Sequence, residues 1–159
     1  MKRELLAHYV DTSMGESETY VLLGDGIASL EESMNPETDS KQWINQSSGT
    51  TILKSYTPSI EVERDDCVDD DCRTWFKKMI NELPTGTSAE TYIVRVDLST
   101  KPSTGTSYEA YRRKYVVQVG STGGDAGGDV IDKITFGGCG GQIKGTFDTA
   151  TNKFTPASA

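Results

Sequence analysis

Two long stretches of this sequence alternate apolar and polar residues, and this alternation constrains the fold more than any other feature. Residues 92–98 carry an apolar side chain at every second position, and most of residues 108–119 repeat the pattern over a longer span. Successive side chains of a strand point to opposite faces of a sheet, so a period of two predicts strands with one apolar face. The chain is therefore expected to contain at least two half-buried strands.

Shorter apolar segments, separated by turn residues, predict further strands. Gly24-Asp25-Gly26 and Asn35-Pro36 are turn signals that close two of these segments. The predicted strands cover residues 20–23, 29–34, 51–63, 130–136 and 140–148, with a last short pairing that begins at Phe154. Pro58 interrupts the third of them and suits an edge or a bulge, because proline cannot donate a ladder hydrogen bond.

One segment, about residues 69–83, has the periodicity of a helix. Its apolar residues recur at spacings of three and four: Cys72, Trp75, Phe76, Met79, Ile80 and Leu83. The acids at positions 69–71 supply an N-cap and suit the positive end of the helix dipole, and Pro84 and Gly86 end the helix. The patterns together predict a mainly β protein, a β-sandwich or partial barrel with one flanking α-helix, as a single domain over residues 1–159.

Charge and length exclude several classes of protein. A chain of 159 residues can bury one core, and its net charge of −8 argues against a nucleic-acid reader, whose surface must neutralise phosphates. The charge is compatible with a wall past which DNA slides without adhering. No apolar run reaches the roughly 20 residues of a membrane span. The N-terminus also lacks the apolar stretch of a signal peptide, so we expect no export by that route.

The acidic stretch at positions 65–71 suggests a metal site, because hard cations bind several oxygens. The stretch lacks the spacing and the glycine of an EF-hand loop, and a helix start explains the acids at 69–71 without metal. Cys67, Cys72 and Cys139 lack the four paired ligands of a closed zinc site. We expect no metal and no cofactor, and we assign these thiols no role. A Cys67–Cys72 disulfide stays open outside a reducing compartment.

Other candidate chemical motifs have simpler explanations. His8 is the only histidine and lies near the N-terminus, whereas a catalytic base needs a rigid, partly buried setting. The glycines at 123–128 lack the strand–loop–helix context of a phosphate-binding loop. Arg112 and Lys114 share one strand face while Arg113 points to the other, so this basic patch is divided. We expect it to pair with acids of an adjacent strand or subunit rather than with nucleic acid.

Two segments lack a packing partner within the predicted sheets. The first is an N-terminal arm of about residues 1–10, and the second is a polar inter-strand loop of about residues 35–49. A structureless connection as long as the second is usually functional or disordered. Large apolar side chains in these segments need a surface against which to be buried, and a neighbouring subunit is one such surface. The candidate subunit-interface residues are Leu5, Leu6, Tyr9, Trp43 and Ile44.

Five blocks of the sequence carry a resemblance to a known family. They are KRELLAHYVDT at 2–12, LEESMNPET at 30–38, KSYTP at 54–58, GTFD at 145–148 and NKFT at 152–155. These blocks resemble tail tube proteins (major tail proteins) from phages and prophages of Gram-positive bacteria. The resemblance spans nearly the whole chain, and Cys67 to Cys72 have no counterpart in it.

The resemblance implies a β-sandwich with a flanking helix, six copies of which form a ring, with rings stacked helically into a hollow tube. Such a tube conducts DNA to the host and has no catalytic residue and no cofactor. The implied partners are other copies of the chain, together with tail terminator, baseplate or tail-tip and tape measure proteins, and sheath proteins in contractile tails. The implied location is the virion tail, assembled in the host cytoplasm. Contractile and non-contractile tails, and phage, prophage and bacteriocin particles, all stay open.

A tube that conducts DNA needs a lumen that does not bind it. Glu61, Glu63 and Asp97 are the candidate lumen acids. Two other interpretations stay open. The first is a monomeric β-sandwich binding or adhesin module, and the second is a metal-dependent hydrolase built on positions 65–71.

Overall fold

The computed structural model describes residues 1–67, 69–100 and 105–157, and strands dominate this part of the chain. The described strands are β1 (Leu6–Asp11), β2 (Tyr20–Leu22), β3 (Ile27–Ser33), β4 (Pro36–Lys41), β5 (Thr50–Tyr56), β6 (Ser59–Asp65), β7 (Glu90–Asp97), β8 (Ser107–Gly123), β9 (Ile131–Gly138), β10 (Ile143–Asp148) and β11 (Lys153–Pro156). The helices are α1 (Asp71–Glu82) and two short 3-10 helices, Arg3–Leu5 and Gly86–Ala89. In the described ranges no helix has the length and apolar character needed to cross a bilayer.

Nine of the described strands form one antiparallel sheet that divides at β8. Seven strands follow the order β2-β1-β7-β8-β9-β6-β3, and β10 joins β8 separately and carries β11. β8 is 17 residues long, so one of its edges is long enough to pair with two other strands, one after the other. Arg112 pairs with Ile143 of β10, and Tyr115 pairs with Gly138 of β9. β4 and β5 form a separate two-stranded sheet.

The divided sheet has one apolar core on each face. The larger core lies between the sheet and α1, and it joins the buried residues of the helix to Val10, Ile60, Val62, Ile93, Tyr115, Val117, Ile134 and Phe136. The smaller core lies on the opposite face, under the β10–β11 hairpin, where the Tyr9 and Phe147 rings are 4.3 Å apart. The β9, β6 and β3 branch has apolar packing on the α1 face alone, because its other face alternates to exposed polar residues.

The helix α1 forms where the periodicity predicts it. The Asp70 carboxylate accepts a hydrogen bond from the backbone N–H of Arg73 at 2.8 Å, as expected of an N-cap. Cys72, Trp75, Phe76 and Met79 face the core. The prediction that Leu83 continues this buried face is wrong. The helix ends at Glu82, and Leu83 adopts a left-handed conformation (φ 47°) and is 60% exposed.

The acids that suggested a metal site instead fasten α1 to the sheet. Lys77 Nζ lies 2.8 Å from the Asp66 carboxylate and 3.6 Å from the buried Asp132 on β9. Arg64 on β6 reaches Asp70 at 3.0 Å. The hydrogen bond from Lys77 is the largest cause that holds the pKa of Asp66 below its ordinary value. These contacts give the acidic stretch a structural role.

The structure corrects the two segments that were expected to lack partners. The predicted N-terminal arm of about residues 1–10 is wrong from Leu6 onward, because β1 is an inner strand of the sheet between β2 and β7. The predicted loop of about residues 35–49 is wrong for its first part, because β4 pairs with β5 and leaves only residues 42–49 as the connection. The predicted mainly β fold with one helix is confirmed.

Candidate assembly surfaces

The β4–β5 hairpin exposes apolar side chains that nothing in its own sheet can bury. Every residue of β5 is exposed, and so are most residues of β4. Ile52 and Leu53 point to opposite faces of the hairpin, and both are exposed, as is Tyr56 near its base. An isolated two-stranded hairpin is only marginally stable in water, so burial against another surface would stabilise it.

The turn of this hairpin carries the two large apolar residues that the sequence singled out. Trp43 is 53% exposed and Ile44 is fully exposed. The Lys41 ammonium lies 5.9 Å from the centre of the Trp43 ring, and Gln46 holds the turn by hydrogen bonds to Gln42 and Trp43. The turn therefore presents Trp43 and Ile44 outward from an ordered backbone.

The base of the hairpin is held to the main sheet at both of its chain connections. On the β5–β6 side, the Pro58 carbonyl accepts a hydrogen bond from the backbone N–H of Gly138 at 2.7 Å. On the β3–β4 side, the side-chain amide of Asn35 donates hydrogen bonds to the Thr57 carbonyl and to the Ser59 hydroxyl, both at 3.0 Å. Asn35 adopts φ 48°, a left-handed conformation that asparagine tolerates better than most residues. This turn sets the angle at which the hairpin leaves the end of β3.

A second surface is the exposed face of β3, β6 and β9. Glu31 and Glu61 are directly opposite each other in the β3–β6 pair, and Glu63 lies on the same face beside Lys133. Like charges directly opposite each other on two strands are destabilising. This register therefore brings two negative charges together on the exposed face. The sequence did not single out Glu31, because its partner depends on the register of two strands.

Asp97 does not belong to this acidic face. Its register places it on the same sheet face as Arg95 and His8, opposite to that of Glu61. The Ser99 hydroxyl donates to the Asp97 carboxylate, and this hydrogen bond is the largest cause of its lowered pKa. The structure therefore brings Glu61 and Glu63 together and separates Asp97 from them.

The N-terminal candidates occupy different environments. Leu5 ends the first 3-10 helix, and Leu6 begins β1; both are half-buried. Leu6 lines a groove of about 400 Å³ between β1–β2 and β3, together with Leu22 and Leu30. Tyr9 is buried in the smaller core, so its side chain packs within its own chain. Leu5 and Leu6 are more exposed than Tyr9, which is 8% exposed and lines the same groove as Leu6.

The divided basic patch pairs within the chain. The Arg112 guanidinium lies between the Tyr92 and Phe154 rings, 4.9 and 5.0 Å from their centres, and forms an ion pair with Glu18. Lys114 pairs with Glu90 on the adjacent strand at 2.8 Å. The expectation that acids of an adjacent strand would satisfy this patch is confirmed for Lys114.

The fold described above is that of tail tubes. Among solved structures, the SPP1 tail tube has a TM-score of 0.67 at 12% identity, covering 91% of this chain and 78% of that chain. The tail of an empty gene transfer agent particle, refined with C6 symmetry, has a TM-score of 0.63 at 11% identity, covering 89% of this chain and 96% of that one. The virion of the native gene transfer agent has a TM-score of 0.60 at 11% identity and covers 98% of each chain. The resemblance to tail tube proteins is thus confirmed at the level of fold.

In contrast to the structural comparison, the sequence comparisons give no match. No protein-family model matches this chain, and no curated protein sequence matches it.

Proposed function

We propose that this protein is a structural subunit of a phage-type tail tube, located in the virion tail and assembled there as stacked hexameric rings. The observation that carries this proposal is the coincidence of a tail-tube fold over nearly the whole chain with an exposed apolar hairpin. One of the similar structures was refined with C6 symmetry, which supports six copies in a ring. The tube conducts DNA, and the subunit performs no catalysis.

The β4–β5 hairpin makes the contact between consecutive rings. Its exposed Trp43 and Ile44 are the kind of large apolar anchors that dominate the binding energy of interfaces. A contact between a projecting hairpin and a different surface of the next copy is heterologous, and when such contacts do not close on themselves they build a filament. Leu5 and Leu6, beside the groove between β1 and β3, supply a second apolar contact between copies.

The acidic face of β3, β6 and β9 lines the lumen. Glu31, Glu61 and Glu63 lie on one exposed face, so that the wall has the same sign of charge as the DNA phosphates. A like-charged wall repels the polyanion and lets it pass without adhering. Asp97 lies on the opposite sheet face and is not part of this wall. The assembled tube would meet tail terminator, baseplate or tail-tip and tape measure proteins, and a sheath if the tail is contractile.

Negative-stain electron microscopy of the purified protein tests this proposal. We expect hollow tubes of uniform bore, with six-fold symmetry in end-on views. Ile44→Asp should abolish the tubes, because it places a charge in the ring contact. Ile143→Asp is the matched control, since Ile143 is also exposed but lies on β10, outside the hairpin. Tubes that persist in Ile44→Asp would exclude the hairpin from the ring contact, and equal loss in both variants would contradict a contact specific to the hairpin. A wild-type protein that stays monomeric at high concentration would favour an adhesin module.

A further inference from the structure

A partly buried carboxylate on the edge strand β3 contacts side chains of strands that lie towards the opposite edge of the sheet. Glu32 lies on β3 and is 11% exposed. Its oxygens are 3.4 Å from His8 Nε2 on β1 and 3.0 Å from Arg95 Nη1 on β7. The Tyr115 hydroxyl on β8 donates to it at 3.4 Å. Because β3 and β2 are the two ends of the sheet order, these bonds tie one end of the sheet to the strands near the other.

The groups around Glu32 favour the ionised form of its carboxyl group. His8 is only 2% exposed, and Arg113 and Tyr111 of β8 line the same cavity of about 10 Å³. Burial alone would raise the pKa of Glu32, but the hydrogen bond from His8 and the charge of Arg95 lower it overall. Carboxylates bonded to charged donors form stronger hydrogen bonds than neutral pairs do.

The same strand leads directly into the hairpin. β3 ends at Ser33, and Asn35 turns the chain into β4. The other edge of β3 has no ladder partner among the described strands, so β3 is paired to β6 alone. A strand held on one side has fewer backbone hydrogen bonds to break before it opens locally. The hairpin leaves the sheet between β3 and β6, and because β6 is paired on both edges, β3 is the less firmly held of the two strands that set the direction in which the hairpin projects.

We propose that Glu32 is a latch: it closes the sheet between β3 and β1 and thereby holds the hairpin in the direction that ring stacking requires. This inference rests on the proposed function for its second half. Its first half, the closure of the sheet, concerns the single chain. Glu31, the preceding residue, has the same charge but faces the opposite, exposed side of β3. The chain thus offers a control one position away.

The test compares Glu32→Gln with Glu31→Gln. In the monomer, below the assembly concentration, hydrogen exchange followed by mass spectrometry should show β3 and β4 amides exchanging at least about tenfold faster in Glu32→Gln, because a charge-assisted contact is lost. The concentration at which tubes form should rise by a similar factor. Glu31→Gln should exchange no faster than the wild type in β3, since it removes a like charge opposite Glu61. Exchange in Glu32→Gln that is no faster than in the wild type, or an equal increase in both variants, would contradict the latch.

A substitute variant and a wild-type control make the result interpretable if Glu32→Gln does not fold or if tubes do not form. If Glu32→Gln does not fold, Arg95→Lys takes its place, since it keeps the charge and loses the guanidinium contact with Glu32. Arg95→Lys should speed the exchange of β3 and β4 amides and raise the concentration at which tubes form, each by less than Glu32→Gln does. Unchanged exchange and an unchanged concentration would contradict the latch. Wild-type protein that never forms tubes would contradict the proposed function, whereas the exchange experiment on the monomer would still decide whether Glu32 closes the sheet.

Discussion

The two tryptophans of this chain should respond to the same substitution in opposite ways. Trp75 is 3% exposed and stacks on Phe136, with ring centres 6.0 Å apart and planes at 8°. Trp75→Ala removes this packing and should lower the free energy of unfolding by about 3–5 kcal/mol. For a domain of this size that corresponds to a fall in melting temperature of roughly 6–20 °C. Trp43 is 53% exposed in the hairpin turn, so Trp43→Ala should change monomer stability by less than about 0.5 kcal/mol.

The assembly of the two variants should show the reverse order. If Trp43 anchors the contact between rings, its loss should weaken each contact by about 2 kcal/mol, which raises the concentration needed for tube formation roughly 30-fold. Trp75→Ala that is still folded should form tubes near the wild-type concentration, because its side chain never reaches the surface.

Two assays separate these effects. Urea unfolding followed by circular dichroism, on monomer below the assembly concentration, measures stability, and light scattering over a concentration series measures assembly. Trp75→Phe, with an intermediate loss expected, replaces Trp75→Ala if the latter cannot be purified. If Trp43→Ala destabilises the monomer as much as Trp75→Ala does, or if it assembles at the wild-type concentration, Trp43 is not an exposed anchor of the ring contact.

Three other predictions concern the single chain. Arg112→Lys should lower the free energy of unfolding by about 1–2 kcal/mol, because a lysine cannot stack flat between the two rings, and no change in the urea midpoint would contradict this. Leu83→Gly should raise stability by about 0.5–1 kcal/mol, since glycine adopts the left-handed helix end without a Cβ penalty, and a lower melting temperature would count against it. Glu32 and Asp66 have lowered pKa values, so their stabilisation is present above their unfolded pKa values and is lost as the pH falls through the folded ones. The melting temperature should therefore be nearly constant from about pH 5 to 8 and fall below roughly pH 4.5, and an acid-resistant Tm would contradict the assignment.

Periodicity predicted the elements that carry one consistently apolar face. The apolar face of β7 packs in the smaller core through Val94 and Val96, and that of the central part of β8 packs in the larger core through Tyr115 and Val117. α1 carries one apolar stripe between a cap and a proline. A local pattern suffices where one face of an element is apolar and the other is mixed or polar.

Two strands escaped prediction for opposite physical reasons. β1 is buried on both faces and includes His8 and Asp11, so it shows no alternation and looks like a polar terminal segment. β4, with the sequence PETDSK, is exposed on both faces and has no apolar side to detect. Its strand character comes from backbone pairing with β5, which is visible only once both segments are placed together.

The sequence predicted only part of the candidate site, because a local segment reveals some of its residues and strand register decides the others. Trp43 and Ile44 stood out because large apolar side chains are conspicuous in a polar segment, and the structure leaves both exposed. The acidic face depends on register across β3, β6 and β9, which no single segment encodes. That is why Glu31 was missed and why Asp97 was grouped with acids that lie on the other side of the sheet.

A helical cryo-electron microscopy reconstruction of the purified wild-type protein would show which surfaces meet in the assembled tube. We expect a hollow tube of six-membered rings, with density for residues 42–49 bridging each ring to the next and with Glu31 and Glu61 facing the lumen. Tubes whose hairpins project into solvent, or whose lumen is formed by another face of the sheet, would contradict the assignment of these surfaces. A protein that stays a discrete monomer at every concentration would contradict the tail tube function itself.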